Sequence, residues 1–168
     1  MKRLYILRHG KSSWEDPALA DHERPLAKRG QRASEAIAKH LRREGAIPEL
    51  VLCSSAIRTL ETLERIEPEL EGAKVRIETR VYEASAGELL ALLRELPDDV
   101  GSAMLIGHNP GLEDLIAGLA SPGPELDRVR EKFPTAALAT LEFEGRWSEL
   151  GEGSAKLVAF VKPRELEA

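Results

Sequence analysis

Lys2-Arg3-Leu4-Tyr5-Ile6-Leu7-Arg8-His9-Gly10-Lys11-Ser12 decides how the rest of this chain is read. Leu4 to Leu7 is short, apolar, aromatic and branched, with charge before it and Gly after it, the pattern of a buried strand and not of a long helix. The run stops at a cation. Arg8 and His9 are therefore expected at the carboxyl end of a first strand, where Gly10 allows a sharp turn or the close approach of a ligand. A guanidinium fork beside a neutral imidazole can hold an oxyanion and attack it. Taken alone, the triplet is more simply explained by a surface ion pair and a solvated histidine; the elements that follow change its meaning.

Working outward, Trp14 to Arg24 is polar, with Pro17 inside it and Pro25 after it, and reads as a loop beside the strand end. Leu26 to Glu44 carries apolar or small residues at Leu26, Ala33, Ala36, Ile37 and Leu41, the spacing of a helix that Gly45 ends. Its Arg and Lys residues read as a solvated face. Glu49 to Cys53 is a second apolar run and a second buried strand. Ser54 or Ser55 is the expected N-cap of a helix whose apolar spacing runs over Leu60 to Ile66, which puts Arg58 in its first turn. A cation there opposes the helix dipole, an objection that disappears if an anion occupies the site. Cys53 reads as a small core residue and not as a nucleophile, because no His neighbours it in sequence.

Lys74 to Thr79 alternates Val75 and Ile77 with charge, as a half-exposed strand would, and Val81 to Ser85 is a loop. Ala86 to Leu96 is a helix with a wide leucine stripe. Ser102 to Ile106 is a third buried strand, and Gly107-His108-Asn109-Pro110-Gly111 follows it at once, a second histidine at a strand end. Leu112 to Leu119 is helical and Ser121 to Pro124 a turn. Ala136 to Phe143 and Leu157 to Val161 are two further strands, with Trp147 covering an edge of the core.

At 168 residues and a net charge of −5 the chain fits one domain over 1–168. Acids and bases are mixed evenly and no basic stripe with interleaved aromatics stands out, which excludes nucleic acid as the expected partner. The one cysteine leaves no internal disulfide and fits a reducing compartment. Too few apolar residues precede Arg8 for a signal peptide or a membrane span. The expectations are a cytoplasmic protein, no membrane partner and, for want of an apolar seam, a monomer.

Strands alternating with helices predict an α/β sandwich with a largely parallel sheet. In such folds the site lies at the carboxyl ends of the strands. Arg8 and His9 fall there from the first strand, Arg58 after the second and His108 after the third. Two guanidinium forks with one or two imidazoles around a common point describe a phosphate pocket.

In this ordered set the chain resembles the histidine phosphatase superfamily, also called the phosphoglycerate mutase-like group, and within it the short phosphohistidine phosphatases of the SixA type. The likeness rests on RHGKSSW from Arg8, the D-x-E-R-P-L run from Asp21 to Leu26, SSAIRTLET from Ser54 to Thr62, VYEAS from Val81 to Ser85, IGHNPGLE from Ile106 to Glu113 and FPT from Phe133 to Thr135. It covers nearly the whole chain. The resemblance implies a three-layer α/β sandwich, a phosphatase that needs no metal or other cofactor, and a phosphorylated enzyme intermediate. It makes His9 the nucleophile and Arg8, Arg58 and His108 the phosphate clamp, with His108 as the imidazolium that a dianion favours.

Larger members of the superfamily use a carboxylate to protonate an alkoxide leaving group, and Glu83 is the candidate acid here, with an exposed loop acid as its plainer reading. SixA-type enzymes manage without one, because a phosphorylated imidazole leaves more easily. Lys11 and Ser12 are candidates for the rim of the substrate site. Arg24 either contacts substrate or braces its loop through Asp21 or Glu23, and His22 and His40 read as surface residues. The expected partner is a phosphate-bearing substrate, either a histidine phosphotransfer domain or another phosphohistidine protein. The alternatives are a phosphatase or mutase of a small phosphate ester and a non-catalytic phosphate-binding module. A metalloenzyme is disfavoured, since the four histidines lack helical ligand spacing and an acidic companion.

Overall fold

The opening apolar run is strand β1, Lys2–Arg8. Leu4 and Ile6 enter one hydrophobic core while Tyr5 and Leu7 enter another, so both faces of the strand are covered. That is why the run is continuously apolar and does not alternate. The same holds for β2, Leu50–Cys53, and β4, Ser102–Gly107. The computed structural model describes residues 1–166.

Together with β3, Lys74–Ile77, β5, Leu138–Phe143, and β6, Lys156–Val161, these strands form one six-stranded sheet in the order β3-β2-β4-β1-β5-β6. The β1–β4, β2–β4 and β2–β3 pairs are parallel, and β5 runs antiparallel to both β1 and β6. One face is packed by α1, Lys28–Glu44, and α2, Ile57–Ile66, through Ile37, Leu41, Leu63 and Ile66. The other is packed by α3, Ala86–Arg94, α4, Gly111–Leu119, and α5, Pro124–Glu131, through Leu89, Leu93, Leu115 and Val129. The result is a three-layer α/β sandwich.

Several elements differ from the sequence reading. The N-cap of α2 is Ala56, not a serine; Ser54 instead turns its hydroxyl to accept from the Ala56 N–H at 3.3 Å. The loop from Trp14 to Arg24 contains a turn of 3-10 helix, Asp21–Glu23. Strand β3 lies at the sheet edge and is exposed along its whole length, with Lys74 and Arg76 guarding Val75 and Ile77. Helix α5 has no counterpart in the sequence reading, because only Leu126 and Val129 of its eight residues are buried. Trp147 is fully buried, donates its indole N–H to the Val100 carbonyl at 2.7 Å and packs edge-on against Phe143.

One backbone contact seats α1 against the end of β1. A Cβ on Gly30 would lie 2.2 Å from the Lys11 carbonyl oxygen, and one on Gly10 would lie 2.6 Å from the Gly30 carbonyl oxygen. The contact is main chain on main chain, so no rotamer change relieves it. The Ala27 N–H donates to the Lys11 carbonyl at 2.8 Å and the Gly10 N–H to Thr62 Oγ1 at 3.0 Å, fixing the loop from both sides. Gly30→Ala is expected to lower unfolding free energy in urea by about 2 kcal/mol or more. Gly118→Ala, in α4 where a Cβ meets nothing within 4 Å, should raise it by about 0.5–1 kcal/mol. A Gly30→Ala protein as stable as the wild type would contradict this packing.

Candidate functional site

Parallel strands that end in register deliver their next residues to one rim. Arg8 lies opposite Gly107 across β1 and β4, and Cys53 lies opposite Ile106 across β2 and β4. The ladder runs one residue further, with the His9 N–H on the Gly107 carbonyl at 3.2 Å and the Ser54 N–H on the Ile106 carbonyl at 3.0 Å. His9, Ser54 and His108 therefore stand side by side, and the two imidazole centroids are 5.3 Å apart. His9, Arg24, Arg58 and His108 are only 6–9% exposed.

His9 Nδ1 lies 2.6 Å from the Gly10 carbonyl oxygen. A carbonyl only accepts, so this bond puts the proton on Nδ1 and leaves the Nε2 lone pair unprotonated. Burial pushes the His9 pKa from the ordinary 6.5 down to about 3; the Gly10 bond opposes this, and the charges of His108, Arg58 and Arg8 add to it. The ring is neutral at physiological pH.

His108 is also neutral. Burial, aided by Arg58 and Arg8, brings it down to about 4 against the opposing charge of Asp21. The imidazolium expected from the sequence requires a bound dianion; the protein's own cations work against it. His108 Nε2 is 2.7 Å from Ser54 Oγ. With that hydroxyl donating, the His108 proton sits on Nδ1, a buried atom without a partner among the described residues. Arg8 Nε is in the same position, while Arg8 Nη1 donates to the Phe133 carbonyl at 3.0 Å. A buried donor left over is suited to an oxyanion.

Arg58 is held by Asp21 through two contacts, Nη1 to the backbone carbonyl at 2.8 Å and Nη2 to Oδ2 at 3.0 Å. Tyr82 donates its hydroxyl to the same Oδ2 at 2.7 Å, and Arg24 Nη1 reaches Oδ1 at 3.0 Å. The Tyr82 bond, with Arg58 and Arg24 behind it and burial opposing, brings Asp21 down to about 2. Arg24 also donates to the Ser13 carbonyl and to Ser12 Oγ and lies over the Trp14 ring. Its geometry is that of a brace for the loop, and Ser12 is part of that brace.

The remaining residues spread around this centre. Glu83 is exposed, has φ of 56° in the left-handed region, and lines a cleft of about 480 Å³ with Arg58 and His108. Lys11 is exposed and lines, with Arg8, a neighbouring groove of about 540 Å³. His22 is not a detached surface residue: its Nε2 lies 2.9 Å from Ser55 Oγ and its ring packs edge-on against Tyr82 at 4.7 Å. Tyr82 in turn packs edge-on against His108 at 5.5 Å. Burial pushes the Cys53 thiol up to about 12, an inert group in the core. Sequence reasoning gave no site role to Tyr82, Asn109 or Ser54, the last read only as a candidate N-cap, although each lies in a quoted motif. The Asn109 amide donates to the same Phe133 carbonyl as Arg8, at 3.0 Å.

Two guanidiniums and two neutral imidazoles at the carboxyl ends of parallel strands have the chemistry of an oxyanion site in an α/β protein. The chain belongs to the histidine phosphatase superfamily, whose branch 1 pattern matches residues 4–134. It is 35% identical over 162 residues to Uncharacterized protein Rv1276c of Mycobacterium tuberculosis, covering 94% of this chain and all of that one. Its structure is similar to SixA of Nakamurella multipartitia, with a TM-score of 0.84, 28% identity and 96% of each chain covered. It is also similar to the protein histidine phosphatase SixA complexed with tungstate, with a TM-score of 0.81, 25% identity and coverage of 98% and 99%. Family and structural likeness together make the protein a phosphatase. Among the described residues, no helix is long and apolar enough to cross a membrane.

Histidines held neutral by the fold gain protons on unfolding, so the unfolded chain binds more protons between the ordinary 6.5 and the folded values near 3 and 4. Stability is thus full above about pH 6.5 and falls as the pH drops towards 4; Asp21, half exposed, adds little in the same direction. Urea unfolding at pH 5 is expected to give a free energy about 2–4 kcal/mol below that at pH 7.5. In NMR titration neither ring should change charge between pH 8 and 5. A midpoint near 6.5 for His9 or His108 would contradict the assignment.

Proposed function

We propose that the protein is a metal-independent protein phosphohistidine phosphatase acting through a phosphorylated His9. The neutral Nε2 of His9 attacks phosphorus in line, the bond from phosphorus to the substrate imidazole breaks, and that imidazole leaves with a proton taken from solvent. Arg8 and Arg58 neutralise the equatorial oxygens as charge redistributes, and His108 donates from Nδ1. Water then attacks the phosphoryl group, the bond from phosphorus to Nε2 breaks, and phosphate departs, restoring neutral His9. The sum consumes one water.

The observation that carries the choice of leaving group is the state of Asp21. This carboxylate, bonded to Arg58, is held ionised by Tyr82 and the two arginines and cannot serve as a proton donor at neutral pH. A phosphorylated imidazole, which needs less help to leave than an alkoxide, fits such a cleft. The likeness to SixA proteins supports the same choice, and the tungstate held by one of them is an oxyanion. Glu83 in the same cleft favours the second reading, a phosphatase or mutase of a small phosphate ester with Glu83 as general acid.

Phosphate release in chelator, from a histidine-phosphorylated protein and from phosphoserine, distinguishes them. His9→Ala is expected to lose about 10³-fold or more on the phosphohistidine protein, while Glu83→Gln stays within about threefold of wild type. Preference for phosphoserine, with a large loss in Glu83→Gln, would establish the ester reading instead. Binding of phosphate compounds without turnover of either would leave only a non-catalytic module.

A further inference from the structure

The groove beside the clamp is lined by cations from every element that meets there. Arg8 and Lys11 come from the end of β1, Arg29 and Arg32 from α1, Lys132 from just past α5, and Lys162 and Arg164 from just past β6. No acidic residue lines it. These seven stand in a chain of net charge −5; setting them aside from its 24 basic residues leaves 17 against 29 acidic ones. The positive charge is local and its background is negative.

Stability does not account for these side chains. Among the described residues none of the seven forms an ion pair, whereas Arg24, Arg58, Arg65 and Arg128 elsewhere all do. The first turn of α1 holds Lys28 and Arg29 and no acid, the unfavourable sign for a helix amino end. The Gly10–Gly30 contact then presses that turn against Lys11, bringing like charges together. A repulsive arrangement without an ion-pair partner among the described residues points to an anionic one from outside.

Resting on the phosphohistidine reading, we propose that this groove docks an acidic face of the phosphoprotein substrate, lying next to its phosphorylated histidine. Lys11, Arg29, Arg32, Lys132 and Arg164 are exposed and form no ion pair among the described residues, as suits surface-to-surface attraction; a subsite for a small polyanion would hold buried, oriented donors. Arg8 belongs both to the groove and to the clamp, so a carboxylate cluster settling on α1 lies beside the phosphoryl group gripped by Arg8. The groove supplies encounter rate and selectivity for the protein, and the clamp supplies the chemistry.

The test measures kcat/KM for three substrates: a histidine-phosphorylated protein with several carboxylates on its phosphorylated face, the same protein with those carboxylates changed to amides, and phosphoramidate. The enzymes are wild type, Arg29→Glu/Arg32→Glu on one wall and Lys132→Glu/Lys162→Glu on the other. Wild type is expected to prefer the acidic protein over its amidated form by about tenfold or more at low salt, with the preference shrinking as salt rises. Both double variants should abolish or invert that preference, and lose at least about tenfold more on the acidic protein than on phosphoramidate. Wild type that releases phosphate but treats acidic and amidated proteins alike would overturn docking while leaving the phosphohistidine reading intact. Inhibition by tripolyphosphate tighter than the KM of the acidic protein, lost in Arg29→Glu/Arg32→Glu, would give the groove to a small polyanion and also overturn it. No release from any of the three substrates by wild type would overturn both.

Discussion

Everything at the site depends on three parallel strands ending in step. With Arg8 opposite Gly107 and Cys53 opposite Ile106, the first residues beyond β1, β2 and β4 share one rim. A slip of one residue in any pair would move its histidine or serine to the other face of the sheet. The register is held where it is hardest to disturb, in strands whose side chains fill both cores. The fold therefore fixes the distance between the two imidazoles, and their burial between sheet and loops follows from it.

Burial then sets the chemistry. Two histidines are kept uncharged by desolvation and by nearby guanidiniums, which is the state a nucleophile needs and the opposite of the usual pairing of imidazole with carboxylate. Asp21, the carboxylate bonded to Arg58, is committed to Arg58, Arg24 and the Tyr82 hydroxyl. It spaces and orients the cations without neutralising the histidines. Beyond Arg8 the electrostatics change character, from a few buried oriented groups to an exposed, unpaired basic groove.

Much of this was legible in the sequence, for physical reasons. Strands covered on both faces leave continuous apolar runs, so β1, β2 and β4 and the residues at their ends could be placed from Leu4, Val51 and Met104 onward. What escaped has equally definite causes. Helix α5 buries only Leu126 and Val129, too little for an amphipathic signal. Asp21 acts on Arg58, 37 residues away, and on Tyr82, 61 residues away, contacts that no local pattern encodes. The charge of His108 depends on desolvation, which needs the packed structure. Arg29 and Arg32 read as a solvated face because their partners in the groove lie on β1 and beyond β6.

The account stands on a neutral His9 that accepts the phosphoryl group on Nε2. Its most direct test is to mix enzyme with excess phosphohistidine protein, quench in alkali within the first turnover, and map the modified residue by mass spectrometry. The account predicts a single acid-labile, alkali-stable phosphoryl group on His9, bonded to Nε2 and absent from His9→Ala. Phosphate release with no covalent label in the first turnover, or a label on another residue, would contradict it.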